Sequence, residues 1–341
     1  MVFGGCQQKK GFLFALKMLN WTQNSDSPNN PMKLTRKEFL GTLGATGTAL
    51  ATGGFGALST LAQNNQDGTP DLVAVMGGEP DVMFQKAIET LGGMERFVKR
   101  GNKVVIKPNI GWDKTPEMAA NTNPILVGEM VKQALAAGAA EVVVFDWTVN
   151  EMRRCYENSG IEAAVLAAGG KVLPSNDERY FKEVDLPEGK TLKKAKFHEA
   201  LLACDVWFNV PILKVHGGSK MTIAMKNYMG IIWDRRIFHS TDLQQCIADV
   251  CTWSKKPVLN VVDAYRILKA NGPGGRSEAD AVLVKALLAS PDIVAVDTAA
   301  TKLAEQFTNI GVDEVTHIAK GQEHKLGTSD VDKLNVKRVR L

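Results

Sequence analysis

The 341 residues are 45% hydrophobic, 23% charged and 7% aromatic, the make-up of a globular chain long enough to bury a large core, which excludes disordered, collagenous and disulfide-stapled classes. Lys and Arg total 41 and Asp and Glu 37; six and two of these lie in residues 1–62, which leaves 35 of each sign in the body. With no Lys/Arg run there to neutralise phosphates, nucleic acid is not expected as a partner.

In chain order, residues 1–31 read as an upstream extension without a fold, ending just before Met32. Thr35-Arg36-Lys37-Glu38-Phe39-Leu40 then precedes a segment, Gly41 to Gln66, without one charged residue. This pattern resembles a twin-arginine export signal in which Lys37 replaces the second arginine. Six glycines and five threonines in residues 41–62 make the segment too polar for a spanning helix, and each interior Gly would cost a core helix about 1 kcal/mol relative to Ala. Residues 32–62 are therefore read as an export signal with a small residue, Ala62, at its end, and 63–70 as linker. The expectation is a periplasmic or otherwise exported bacterial protein that engages the twin-arginine machinery and keeps no membrane anchor after processing.

The body, 71–341, alternates strands and helices. Predicted strands are Asp71–Met76, Lys103–Lys107, Glu141–Asp146, Lys171–Leu173, Asp205–Leu213, Val258–Asp263 and Val282–Ala289; predicted helices are Asp81–Val98, Pro124–Ala137, Ile161–Ala168, Thr241–Trp253 and Pro291–Phe307. Continuous Val/Ile runs between amphipathic segments with glycine stops indicate parallel strands covered on both faces. The fold class is α/β, a mostly parallel, Rossmann-like sheet with helices on both faces and room for a second, smaller lobe meeting the first near 174–204. Glu178–Lys194, charged and carrying Pro187-Glu188-Gly189, reads as a hairpin or inserted loop, and Asn335–Leu341 as a terminal edge strand. Of the body's cysteines, Cys246 and Cys251 point apart on one helix, whereas a Cys155–Cys204 bridge is left open; without a compact cysteine run, no iron–sulfur cluster is predicted.

Open α/β sheets bind ligands beyond the carboxyl ends of their strands, and the unusual polar residues lie there. Lys107-Pro108-Asn109, Asp146, Lys214-Val215-His216-Gly217-Gly218 and Asp263 each follow or close a strand. Gly217 and Gly218 are expected to let backbone approach a ligand, and Ser219–Tyr228 has helical spacing that sets Thr222 and Lys226 on one face next to Asn227. Asn271–Gly275, with Gly272 inside it, reads as a rim or lid. There is neither a Walker loop nor a GxGxxG turn after a strand.

The succession of Lys107-Pro108-Asn109, Pro211 to Asn227, Val262 to Gly275, and Asp292 to Asp297 resembles the uncharacterised family called domain of unknown function 362. The resemblance spans roughly 71–308 and implies that these residues act together; it supplies no reaction. Two classes of function follow. The first is an enzyme of lyase, isomerase or hydrolase type acting on a small anionic molecule: Lys107, Lys214 and Lys226 neutralise charge, Asn109, Asn227, Gly272 and Thr222 contact the ligand, and His216 serves as general acid/base. Asp263 orients the imidazole, or joins it in holding a divalent metal; the cofactor is otherwise unknown. Asp297, Asp146 and Asp292 are weaker acidic candidates, the last better suited to capping a helix. The second class is a non-catalytic ligand-binding or cofactor-maturation protein using the same cleft.

Overall fold

The computed structural model describes residues 68–341; the upstream extension, the export signal and most of the linker lie outside them. Twelve strands are present: β1 (Leu72–Met76), β2 (Lys103–Pro108), β3 (Glu141–Val144), β4 (Lys171–Val172), β5 (Phe181–Asp185), β6 (Lys194–His198), β7 (Val206–Val210), β8 (Ile212–His216), β9 (Lys220–Thr222), β10 (Leu259–Leu268), β11 (Ala281–Ser290) and β12 (Val336–Arg340). Ten of them form one sheet in the order β12-β1-β11-β10-β7-β2-β3-β4, with β8 joined to β10 and β9 to β8. The β4-β3-β2-β7-β10 half is parallel throughout, whereas β11 runs antiparallel to both β1 and β10. The sheet is thus mixed but mostly parallel, the α/β architecture expected.

Alternation along each strand builds two cores. Val73, Val75, Val104, Ile106, Val142 and Val144 face one way, against Met83 and Phe84 of helix Pro80–Thr90, Leu126 and Met130 of helix Pro124–Ala136, and Val165 of helix Ile161–Ala167. Leu72, Ala74, Val105 and Val143 face the other way, against Ile247 of helix Leu243–Val250 and Val296 and Leu303 of helix Ile293–Thr308. Cys155 belongs to the first core and Cys204 to the second, so the bridge left open by the sequence does not form; all four described cysteines are free. The sheet's polar edge is positioned by helix starts such as Asn123, whose side chain accepts from Ile125 N–H ahead of Pro124 in the first turn.

Two expected elements differ. Asp205–Leu213 is not one strand: Pro211, lacking an N–H, separates β7 from β8, and each then pairs in parallel with a different part of β10. Ser219–Tyr228 is not one helix either. Thr222 pairs with Lys214 in the β8–β9 hairpin, a setting suited to a β-branched residue, and the helix is confined to Ala224–Asn227. The Glu178–Lys194 insertion is a two-stranded hairpin, β5 with β6, in the region where two lobes were expected to meet. β12 lies on the sheet edge beside β1 as read. Among the described residues no helix is long and apolar enough to cross a membrane.

Candidate functional site

The parallel strands β2, β3 and β7 end on one side of the sheet, and the chain leaving them surrounds a cavity of about 350 Å³. Its lining includes Asn109 and Trp112 after β2, Asp146 and Trp147 after β3, Lys214 and His216 of β8, Thr222 of β9, Lys226 and Asn227 of the short helix, and Gly230, Arg235, Arg236, His239 and Pro273. Seven residues singled out from the sequence, Asn109, Asp146, Lys214, His216, Thr222, Lys226 and Asn227, therefore share one cleft.

Its floor is a buried polar network. Lys107 Nζ forms an ion pair with Asp146 Oδ1 at 2.9 Å and donates to the Asn227 backbone oxygen and Oδ1 at 2.7 and 2.6 Å. Burial pushes this ammonium's pKa down, with Asp146 opposing. The second Asp146 oxygen accepts from Ile110 N–H at 2.6 Å. Asn227 Nδ2 donates to Asn209 Oδ1, and Asn209 Nδ2 to Asn260 Oδ1, continuing the network beneath the sheet edge. Lys107 thus stands behind the cleft wall rather than in it, a correction to its expected catalytic place.

Three cations remain without a carboxylate partner among the described residues. Lys214 Nζ donates to Asn109 Oδ1 at 3.1 Å and Ala120 O at 2.5 Å, and sits 5.9 Å from the Trp112 ring centre. Arg235 donates to Trp147 O and Thr148 O, both at 2.8 Å, while its guanidinium covers the Trp147 ring at 4.9 Å; Trp147 in turn stacks on Trp233 at 4.7 Å. Lys226 Nζ meets only Met229 Sδ, at 2.8 Å. Burial pulls Lys214 and Lys226 down to about 7, with Lys107 adding like charge to both, Lys226 acting on Lys214, and Arg235 on Lys226.

His216 is held differently from expectation. Its Nδ1 accepts from Gly218 N–H at 3.0 Å and Ser219 N–H at 3.2 Å, which fixes the neutral tautomer with the proton on Nε2. Burial, then Lys226 and Lys214, push its pKa to about 3, so the ring is an uncharged donor at neutral pH. Gly217 and Gly218 form this turn and do not line the cavity. Asp263 does not orient the ring: its oxygens accept from Asn123 N–H at 2.7 Å and Tyr265 N–H at 3.0 Å, and it lies outside the lining. Burial raises its pKa to about 6 against the opposing pull of those two bonds. His216 and Asp263 are therefore no metal-binding pair, and no group of three or more His, Cys, Asp and Glu among the described residues is placed to hold a metal ion.

Asp297 is likewise not a ligand contact. It accepts from Ala224 N–H at 2.7 Å and Met225 N–H at 3.0 Å, capping the short helix that carries Lys226 and Asn227, and burial raises its pKa to about 7. Gly272 packs behind the cavity, where a side chain would meet Val215 O at 1.9 Å. Asp292 caps helix Ile293–Thr308 as read. Gly230 went unnoticed in the sequence: a Cβ there would stand 1.8 Å from Asp146 Oδ1 and 2.6 Å from Lys107 Nζ, so only glycine lets the chain cross that pair. Trp112, Trp147, Arg235 and His239 were also missed. For the tryptophans, position just past strand ends was the available signal; Arg235 and His239 follow no strand and left none.

The family model described as a domain of unknown function (DUF362) matches residues 104–302, more than half of the chain. The chain belongs to this family. Every cavity residue named above falls inside the DUF362 span. A relative, the thylakoid-associated protein sll1697 of Synechocystis sp., is 25% identical over 225 residues, 64% of this chain and 68% of its own. Among solved structures, the lactate racemase apoprotein from Thermoanaerobacterium thermosaccharolyticum aligns over 66% of this chain and 56% of that one, with 14% identity and a TM-score of 0.40.

Proposed function

We propose that this DUF362 protein is an enzyme of lyase, isomerase or hydrolase type whose cleft receives a small carboxylate or phosphate compound. The observation that carries this reading is the charge imbalance: Lys214, Lys226 and Arg235 share one cavity, and its lone carboxylate, Asp146, is already taken by Lys107. Buried cations without counter-charge are costly, and an anionic ligand supplies what the fold withholds. Arg235 offers a planar donor fork for a carboxylate or phosphate. Lys214 adds charge beside it, and His216 Nε2–H donates to an oxygen on which charge develops. Lys226, when uncharged, accepts a proton. In this reading the segment at 32–62 exports the folded chain; mass spectrometry of the protein from producing cells then finds an amino terminus near residue 63, and an intact terminus on cytosolic protein removes that part.

The decisive experiment is a thermal-shift series with phosphate and small mono- and dicarboxylates, followed by proton NMR in D2O to detect exchange or conversion of each binder. Binding with exchange or conversion supports the enzyme. Tight binding with neither leaves a ligand-binding or accessory protein, and no stabilisation by any anion removes the reading altogether.

A further inference from the structure

The three lysines around the cleft differ in what their nitrogens touch. Lys107 meets three oxygen acceptors, one of them a carboxylate, and Lys214 two carbonyl-type oxygens. Lys226 is 8% exposed, faces no oxygen acceptor among the described residues, and has only the Met229 thioether, a weak acceptor. An ammonium left in that position is poorly satisfied, whereas a neutral amine asks for little and keeps its lone pair free. The groups facing it from the packed elements are cationic or neutral: Arg235 after the helix, Lys107 on β2, Lys214 and His216 on β8, His239 and the buried His317. Both of the nearby carboxylates are committed, Asp146 to Lys107 and Asp297 to the backbone of the Lys226 helix. That is the setting in which a lysine nitrogen acts as a nucleophile.

We propose that Lys226 captures the carbonyl carbon of an anionic aldehyde or ketone, a 2-oxo acid in the simplest case, as an imine. The inference rests on the anion-site reading and names the substrate class within it. In the step, the Nζ lone pair bonds to the carbonyl carbon while the C=O π pair moves to oxygen, and a proton passes from nitrogen to that oxygen. The carbinolamine hydroxyl then takes one proton from solvent and leaves as water as the nitrogen pair closes the C=N bond. One amine, one carbonyl and one proton give one protonated imine and one water. Arg235 and Lys214 hold the carboxylate, and His216 Nε2–H bonds the carbonyl oxygen during addition. The cationic imine draws electrons from the neighbouring carbon, which suits lyase or isomerase chemistry there.

The test treats the full chain with glyoxylate, pyruvate or 2-oxoglutarate in the presence of cyanoborohydride, then maps reduced lysine adducts by peptide mass spectrometry. Phosphate and propionate, which carry no aldehyde or ketone, are run in parallel by thermal shift. The expected result is an adduct on Lys226 at least about tenfold above any surface lysine with one of the carbonyl acids, lost in Lys226→Gln. Adducts spread evenly over surface lysines, or none on Lys226, overturn the capture. If phosphate or propionate still stabilises the chain in that case, the anion reading survives alone; if no anion stabilises it, both fall. Should Lys226→Gln fail to fold, the map on the unsubstituted chain decides by itself.

Discussion

Two buried polar clusters in this protein are built on opposite terms. In one, Asp249 accepts from Thr191 N–H and Leu192 N–H at 2.6 and 2.8 Å, from Gln245 Nε2 at 2.8 Å, and pairs with His324 Nε2 at 2.8 Å, pinning the turn of the β5–β6 hairpin to helices Leu243–Val250 and His317–Glu323. Both carboxylate oxygens are engaged, Oδ2 by two backbone donors and Oδ1 by the Gln245 amide and the His324 ring, and the cluster acts as a rivet. In the cleft, by contrast, Lys226 is buried against a thioether and Arg235 against two carbonyls. A satisfied cluster favours the fold, whereas an unsatisfied one costs stability and marks where something else must bind.

Substitutions can break or sharpen that contrast. The largest effect belongs to the rivet: Asp249→Ala leaves buried donors unpaired and is expected to cost about 3–5 kcal/mol, read from the urea unfolding midpoint. If its loss is no larger than that of a surface change, the contrast fails. Lys226→Met goes the other way, leaving thermal stability unchanged or raised while anion affinity falls about tenfold or more, roughly 1.4 kcal/mol, measured by titration calorimetry. A loss of stability with binding intact would show that Lys226 is structural. Gly230→Ala forces apart Lys107 and Asp146 and is expected to weaken anion binding with a stability loss of about 1–3 kcal/mol; wild-type behaviour in both readouts would deny that pair a role beneath the cleft.

Smaller effects follow from the charges. Asp297→Asn weakens the cap of the Lys226 helix by about 1 kcal/mol, seen in the melting temperature. The pH dependence has a definite sign. Lys214 and Lys226 have folded pKa values near 7, below the ordinary lysine value, so between about 7 and 10 the unfolded chain holds more protons and these two groups make stability rise with pH. Anion binding runs oppositely, strongest below 7 and falling as the two ammonium groups discharge. Calorimetry at pH 6, 7, 8 and 9 checks this, and constant affinity across the series would contradict it.

The sheet is legible because its strands carry unbroken Val/Ile runs that only a doubly covered strand tolerates, and the strand-end rule gathers Asn109, Lys214 and His216, with Lys226 added by the spacing of the segment that follows. Asp263 obeyed the same rule yet failed, because a strand-terminal carboxylate serves equally well to hold the neighbouring backbone, here Asn123 and Tyr265. The helical reading of Ser219–Tyr228 fails because the spacing of Thr222 and Lys226 also arises when a short strand turns into a short helix. Arg235 reaches the cavity through Trp147 and Thr148, contacts made across some 87 residues, and nothing local announces them.

The tryptophan pair at the cavity carries a practical corollary. Trp112 and Trp147 border the space a ligand would fill, while Trp207 and Trp253 are enclosed elsewhere in the core. Indole emission is sensitive to nearby charge and to displaced solvent, so the molecule holds its own optical gauge of occupancy, shared between the two bordering indoles and Trp233, which stacks on Trp147. Replacing either bordering indole by phenylalanine tells which wall responds, without any attached dye.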